Sequence, residues 1–163
     1  MAAGTRGSML LATMSAVTGN ELGRTLAGSY VADAMTTGVI SCSPDTPLRT
    51  VARLMSERRV HAVYVFDYGR EDDETVELWG IVSDLDVVAA AVDYLDARTA
   101  GDTSATPLVV VHSDDPLAYA AALIAENAVS HLAVIDRETE RPVGVISTLD
   151  LARAIAAGPE ESE

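Results

Sequence analysis

The chain repeats itself, and this constrains its folding more than any other feature. Asp45-Thr46-Pro47-Leu48 returns as Asp114-Asp115-Pro116-Leu117, an offset of 69. Val60-His61-Ala62-Val63-Tyr64-Val65-Phe66-Asp67 is matched at the same offset by Val129-Ser130-His131-Leu132-Ala133-Val134-Ile135-Asp136. Gly80-Ile81-Val82-Ser83-Asp84-Leu85-Asp86 is then matched by Gly144-Val145-Ile146-Ser147-Thr148-Leu149-Asp150, at an offset of 64. The change of five lies in one connection, twelve residues long (68–79) in the first copy and seven (137–143) in the second. The extra residues fall in the acidic stretch Arg70-Glu71-Asp72-Asp73-Glu74, as expected of a solvent-exposed hairpin tip. A period of this length means one supersecondary unit built twice.

Each copy reads strand, helix, strand, strand, helix. The first strands are Val39-Ile40-Ser41-Cys42 and Leu108-Val109-Val110-Val111. Each following helix is expected to start with Thr46 or Asp115 as N-cap and Pro at the first helical position, where a missing N–H is harmless. Leu48, Val51, Ala52 and Met55 then share a face in the first copy, as do Leu117, Ala120, Ala121 and Ile124 in the second. The last helices run from about Leu85 to Leu95 and from about Leu149 to Ala157, with Gly158 as a C-terminal cap. The strands are almost continuously apolar, so both of their faces need cover. One repeat cannot cover its own sheet, whereas two can cover each other. The expected fold is α/β (α+β): two β-α-β-β-α repeats packed through their sheets into one pseudo-two-fold module. Its divisions are an N-terminal segment, partly disordered or helical (1–29), a first repeat (30–97), a second repeat (98–158) and an acidic tail (159–163), expected to fray.

Charge narrows the partners. The chain carries 25 acidic and 11 basic side chains, a net −14, and every basic residue is Arg. Nucleic acid and anionic membrane surfaces are both recognised through basic groups, so neither is an expected partner. Met9-Leu10-Leu11-Ala12-Thr13-Met14 is too short and too weakly flanked for a membrane helix or a signal peptide, and a cytoplasmic location is expected. Cys42 is the only cysteine, which excludes an intramolecular disulfide and reads as a small buried hydrophobe.

The two Gly-x-x-Ser-x-x-Asp stretches carry the chemistry. Each falls where a buried strand turns into a helix, so unpaired N–H groups at the positive end of the helix can receive a phosphate. An Asp three residues after the Ser can accept hydrogen bonds from the two hydroxyls of a sugar, and the Gly is expected to let the backbone approach the ligand. Ser and Asp at a helix start are also ordinary capping residues. Two copies in register, each with a matching helix and strand, favour the ligand-binding reading.

At this point the repeat resembles the cystathionine-β-synthase-type (CBS) domain family, whose members occur in tandem pairs called Bateman modules. The resemblance covers roughly Tyr30 to Ala157. In that family a strand-ending Gly is followed by a hydrophobic pair, Ser or Thr, two residues and Asp, and both copies match. The second strand of the family usually begins Val-Ser and carries a central Pro. Val129-Ser130 fits and Val60-His61 nearly fits, whereas Tyr64 and Ala133 stand where Pro is common.

The resemblance implies two clefts per chain. In the main one, Ser147, Thr148, Asp150 and His131 would hold the phosphate and ribose of an adenine nucleotide, with the base against Met35, Ile40, Val60 and His61. The second would use Ser83, Asp86, Ser104, Val109, Val129 and Ser130. AMP, ADP or ATP is the expected ligand, with S-adenosylmethionine or NAD(H) as further candidates. No cofactor or metal is expected, a homodimer is, and an unidentified protein partner would receive the signal. The sites should be unequal, because His131 stands where the other copy has Ala62, and Asp84 stands where the main site has neutral Thr148.

His61, His112 and His131 have no metal-ligand spacing, and the acidic stretch at 71–74 lacks the alternation and Gly of a calcium loop. No nucleophile elbow, phosphate-binding loop or dinucleotide fingerprint is present. The expectation is therefore a nucleotide sensor that is not an enzyme, with a ligand-free dimerisation scaffold as the alternative.

Overall fold

The computed structural model describes residues 21–67, 77–104 and 108–158. The acidic stretch at 70–74, the tail from Pro159 and residues 1–20 lie outside them. In chain order the elements are α1 (Glu21–Thr25), α2 (Val31–Ala34), β1 (Thr36–Thr37), β2 (Ser41–Cys42) and α3 (Leu48–Arg58). There follow β3 (Ala62–Asp67), β4 (Glu77–Ser83), α4 (Asp84–Ala91), a 3-10 turn (Leu95–Ala97) and α5 (Ala100–Thr103). The chain continues with β5 (Val110–His112), α6 (Leu117–Asn127), β6 (His131–Ile135), β7 (Pro142–Ser147) and α7 (Thr148–Ala157). No helix among the described residues is long and apolar enough to cross a membrane.

The elements form two compact units. One spans Thr37–Val109; the other joins the segment up to Thr36 to everything from Val110 onward. A unit is therefore not simply a repeat. The second repeat is completed by α1, α2 and Thr36 from the start of the chain, and the first repeat by the residues that follow α4.

In the 37–109 unit the sheet order is β2-β3-β4, with β2 parallel to β3 and β3 antiparallel to β4. Leu48, Val51 and Met55 of α3 pack with Val63, Val65, Val82 and Ala100 into one core. Each of the larger side chains contributes roughly 1.5–3 kcal/mol on burial. Four successive residues of β3, Ala62–Val65, are buried, so both faces of that strand are covered, as its unbroken apolar run requires. The Tyr64 N–H donates to the Ile40 carbonyl at 2.9 Å, a bond that the Pro common at this position in the family would lack. In the other unit the order is β1-β7-β6-β5, with β5 parallel to β6. Val111, Leu132, Val134 and Ile146 of its sheet are buried, as are Leu117 and Ala120 of α6.

Several local expectations need correction. Thr46 and Asp115 do not cap α3 and α6: Pro47 and Pro116 occupy the N-cap positions, with extended ψ of 138° and 137°. The first helical N–H groups, of Leu48 and Leu117, donate to the carbonyls of Arg98 and Ser29, each at 2.9 Å. A returning backbone thus does what a capping side chain does elsewhere. Asp115 instead accepts from the His112 N–H at 2.8 Å and from Arg137 at 2.7 Å. The first strands are shorter than expected, and α4 ends at Ala91 rather than near Leu95. The hairpin strands reach further in compensation, leaving connections 68–76 and 136–141. Gly158 does cap α7, at φ 72°, with its N–H on the Ile155 carbonyl.

The glycines of the two motifs also sit at matching places in their sheets. Gly80 and Gly144 face Val65 and Val134, each next to a bulge in its own strand whose extra residue is Trp79 or Val143. A Cβ on Gly144 would meet the backbone carbonyl of Thr36 and the sulfur of Met35. The close approach that this glycine permits is between β7 and the segment at Thr36, within the fold.

Candidate functional site

The two helix starts are built alike. Ser83 and Ser147 end their strands in extended conformation, with φ of −95° and −116°, and act as N-caps. Each Ser Oγ accepts the N–H of the Asp three residues on, at 3.3 Å, and donates to Oδ2 of the same Asp at 2.7 Å. That oxygen also accepts the Ser N–H, at 2.7 Å for Asp86 and 2.9 Å for Asp150. Capping therefore uses one carboxylate oxygen of each Asp; the other oxygen of Asp150, Oδ1, lies 3.7 Å from the Arg153 guanidinium. The first helical N–H in each case donates to the residue before the facing strand: Asp84 to His61 at 2.9 Å, Thr148 to Ser130 at 3.0 Å.

The starts differ at the next residue. In α4 the Leu85 N–H is taken by Oδ1 of Asp84 at 2.9 Å, while Oδ2 of Asp84 meets His61 Nδ1 at 2.9 Å. In α7 the corresponding position is Thr148, whose side chain carries no charge. No described residue accepts the N–H of Leu149. The positive end of α7 is open, and that of α4 is closed by its own carboxylate.

Around α7 the structure brings together Ser147, Thr148, Asp150 and His131. His131 is the register partner of Ser147 in the β6–β7 ladder, and its Nδ1 lies 2.9 Å from Ser130 Oγ. Ala62 holds the corresponding place opposite Ser83. Met35, at the end of α2, presents its sulfur beside Gly144 in the same unit. The Ser130 carbonyl accepts the Thr148 N–H, and the hydroxyl of the same residue meets His131. His61, assigned to the main site, is bonded to Asp84 at the start of α4.

Ile40 and Val60 are half-buried against the core of the 37–109 unit. In that unit Ser104 is buried at the end of α5, with its hydroxyl 3.4 Å from the Gly101 carbonyl, and Val109 is half-buried ahead of β5. Val129, also half-buried, lies in the turn between α6 and β6, where its N–H donates to Ile124.

Two contributors escaped the sequence reading. One is the Leu149 amide, a backbone group whose only sequence signal is the missing carboxylate at Thr148. The other is Arg153, one turn beyond Asp150, with its guanidinium 3.7 Å from Asp150 Oδ1. Its counterpart in the first repeat is Ala89, so a comparison of the repeats would have found it. The unit of α7 thus adds His131, in register with Ser147, and Arg153, beside Asp150, whereas α4 carries Asp84 and Asp86 in its first turn. Among the described residues no set of three or more His, Cys, Asp or Glu is arranged to hold a metal ion. Burial pushes the Cys42 thiol up from its ordinary value, which disfavours the thiolate that a nucleophile needs.

Duplicated β-α-β-β-α units, each ending in a helix capped by a Ser–Asp pair, define a class of paired regulatory modules. The family model for the CBS domain matches twice, over residues 31–93 and 100–157, and the chain belongs to that family. A curated relative, the CBS domain-containing protein YhcV of Bacillus subtilis strain 168, is 29% identical over 126 residues, covering 76% of this chain and 84% of its own. Among solved structures, the CBS domain pair of protein MJ0100, in complex with 5′-methylthioadenosine and S-adenosyl-L-methionine, superposes with a TM-score of 0.66 at 19% identity. That match covers 79% of this chain and 97% of the other. CBSX2 in complex with AMP gives 0.59 at 26% identity, covering 80% and 98%.

Proposed function

We propose that this CBS pair is a regulatory sensor whose α7 start binds the phosphate end of an adenine nucleotide, and that it acts by binding and not by catalysis. The observation that carries the reading is the contrast between the Leu149 amide, for which no described residue is an acceptor, and the Leu85 amide, occupied by Asp84. In this reading Thr148 and Ser147 offer hydroxyls to the phosphate, and Oδ1 of Asp150 would accept from the ribose in place of its contact with Arg153. Relatives solved with AMP, methylthioadenosine and S-adenosylmethionine support an adenosine ligand. Binding would act on a partner protein only by favouring one arrangement of the module over another. A homodimer in the cytoplasm is the working form in this reading.

With so few basic groups near the site, one phosphate is easier to balance than three. AMP should therefore bind more tightly than ATP in metal-free buffer. Titration calorimetry of the full chain with AMP, ADP, ATP, S-adenosylmethionine and NAD⁺ checks this. Tighter binding of ATP would contradict the charge argument. Silence from all five would favour a ligand-free scaffold, a reading supported by the complete capping boxes at both helix starts.

A further inference from the structure

α3 gathers positive charge on a chain that is otherwise acidic. Arg49, Arg53, Arg58 and, just past the helix end, Arg59 are four of the chain's 11 basic residues, and all four are exposed. Glu57 is the one acidic residue of this helix. An Arg in the last turn complements the helix dipole, which accounts for Arg58 and Arg59 but not for Arg49 and Arg53. The matching places of α6 hold Ala118, Ala122, Asn127 and Ala128. There Ala118 is buried, and α2 packs on the helix. One copy of the repeat covers its helix; the other leaves four guanidinium groups in solvent.

Arg49 shows what such a group takes up. Its guanidinium forks onto both oxygens of Asp96, Nε donating to Oδ1 and Nη2 to Oδ2, the latter at 2.8 Å. Arg53 lies one turn further along the same face, about 6 Å on. No described carboxylate is within ion-pair distance of Arg53, Arg58 or Arg59. We propose that α3 docks an acidic segment of a partner protein, whose carboxylates are taken by Arg53, Arg58 and Arg59 as Asp96 is taken by Arg49. The net charge of −14 limits the size of that segment. A local cluster of Arg outweighs the field of the whole chain only within a Debye length, about 8–10 Å. A short run of Glu or Asp is therefore attracted, whereas a long polyanion such as nucleic acid is repelled. This gives a chemistry to the partner in the sensor reading above and rests on that reading for there being one.

Fluorescence anisotropy of a labelled peptide of alternating Glu and Ser, titrated with the full chain in the absence of nucleotide, tests the docking separately from AMP binding. Binding is expected at low salt and should fade as salt is added. Arg53→Glu combined with Arg58→Glu should weaken it about tenfold, and Arg53→Gln, the milder change if the double reversal does not fold, by a smaller factor. Arg24→Glu combined with Arg141→Glu makes the same change of net charge at two exposed positions of the other unit and should leave binding unchanged. Equal losses from the two double variants would mean that net charge alone is felt, and would overturn the assignment to α3. No binding of the Glu peptide, or equal binding of its Gln counterpart, would overturn the docking itself. Tighter binding of a DNA oligonucleotide than of the Glu peptide would overturn the choice of partner.

Discussion

Leu85 and Leu149 occupy the same step of a duplicated motif, yet their backbone amides have opposite fates. The difference is one side chain. Asp84 folds back on the amide behind it and pairs with His61, while Thr148 leaves the amide open. The Ser–Asp spacing at both starts was legible because a capping box needs those residue types three apart. The pairing of His61 with Asp84 and of Ser130 with Thr148 was not, because strand register decides it. Gly144 illustrates the same limit. Its spacing pointed to a ligand, but the atom it makes room for is the Thr36 carbonyl, contributed by a segment more than a hundred residues away. Gly144→Ala should therefore destabilise the fold by roughly 1–3 kcal/mol, since backbone and not a movable side chain must give way. Urea unfolding measures this, and an unchanged midpoint would contradict it.

At the scale of elements, the repeat preserves geometry where sequence does not. α3 and α6 both end on a residue in the left-handed region, Arg59 at φ 54° and Ala128 at φ 52°. Glycine adopts that conformation without the Cβ clash and is favoured at this C-terminal position. Ala128→Gly should raise stability by about 0.5–1 kcal/mol, seen as a melting temperature higher by a few degrees. A lower one would show that the turn is held differently.

The entry to α6 is fastened from the β6–β7 hairpin, since Arg137 pairs with Asp114 at 2.9 Å and with Asp115 at 2.7 Å. The Arg137 guanidinium holds the Asp114 carboxyl below its ordinary value of 3.8. A carboxyl depressed in the folded state stabilises above its unfolded value, and that stability is lost as pH falls through the folded value. The melting-temperature gap between the native chain and Arg137→Gln should be constant from pH 8 to about pH 5, and close below the ordinary carboxyl range. A gap independent of pH would mean that Arg137 acts by packing its stem alone.

At the scale of the molecule, duplication and strand–helix order were readable because each repeat states its own periodicity. Which residues complete which unit was not. Val31 and Leu26 are buried in the unit of the second repeat, and Ala100 in that of the first. Each is an ordinary apolar residue whose partner lies far along the chain. The same non-local pairing explains why Leu48 and Leu117 need no capping side chain.

Function is read from the inequality of the two helix starts, so the central test compares them directly. Asp86→Ala and Asp150→Ala each remove one capping carboxylate and should cost the fold alike, about 1 kcal/mol. Any difference in ligand response then belongs to the sites. The measurement is the AMP-induced rise in melting temperature of the native chain and of both variants, since a molecule that binds only the folded state raises it with occupancy. The expected result is a rise of several degrees in the native chain and in Asp86→Ala, and almost none in Asp150→Ala. Equal loss in the two variants, or a rise that survives Asp150→Ala, would contradict the assignment of the nucleotide to the open start of α7.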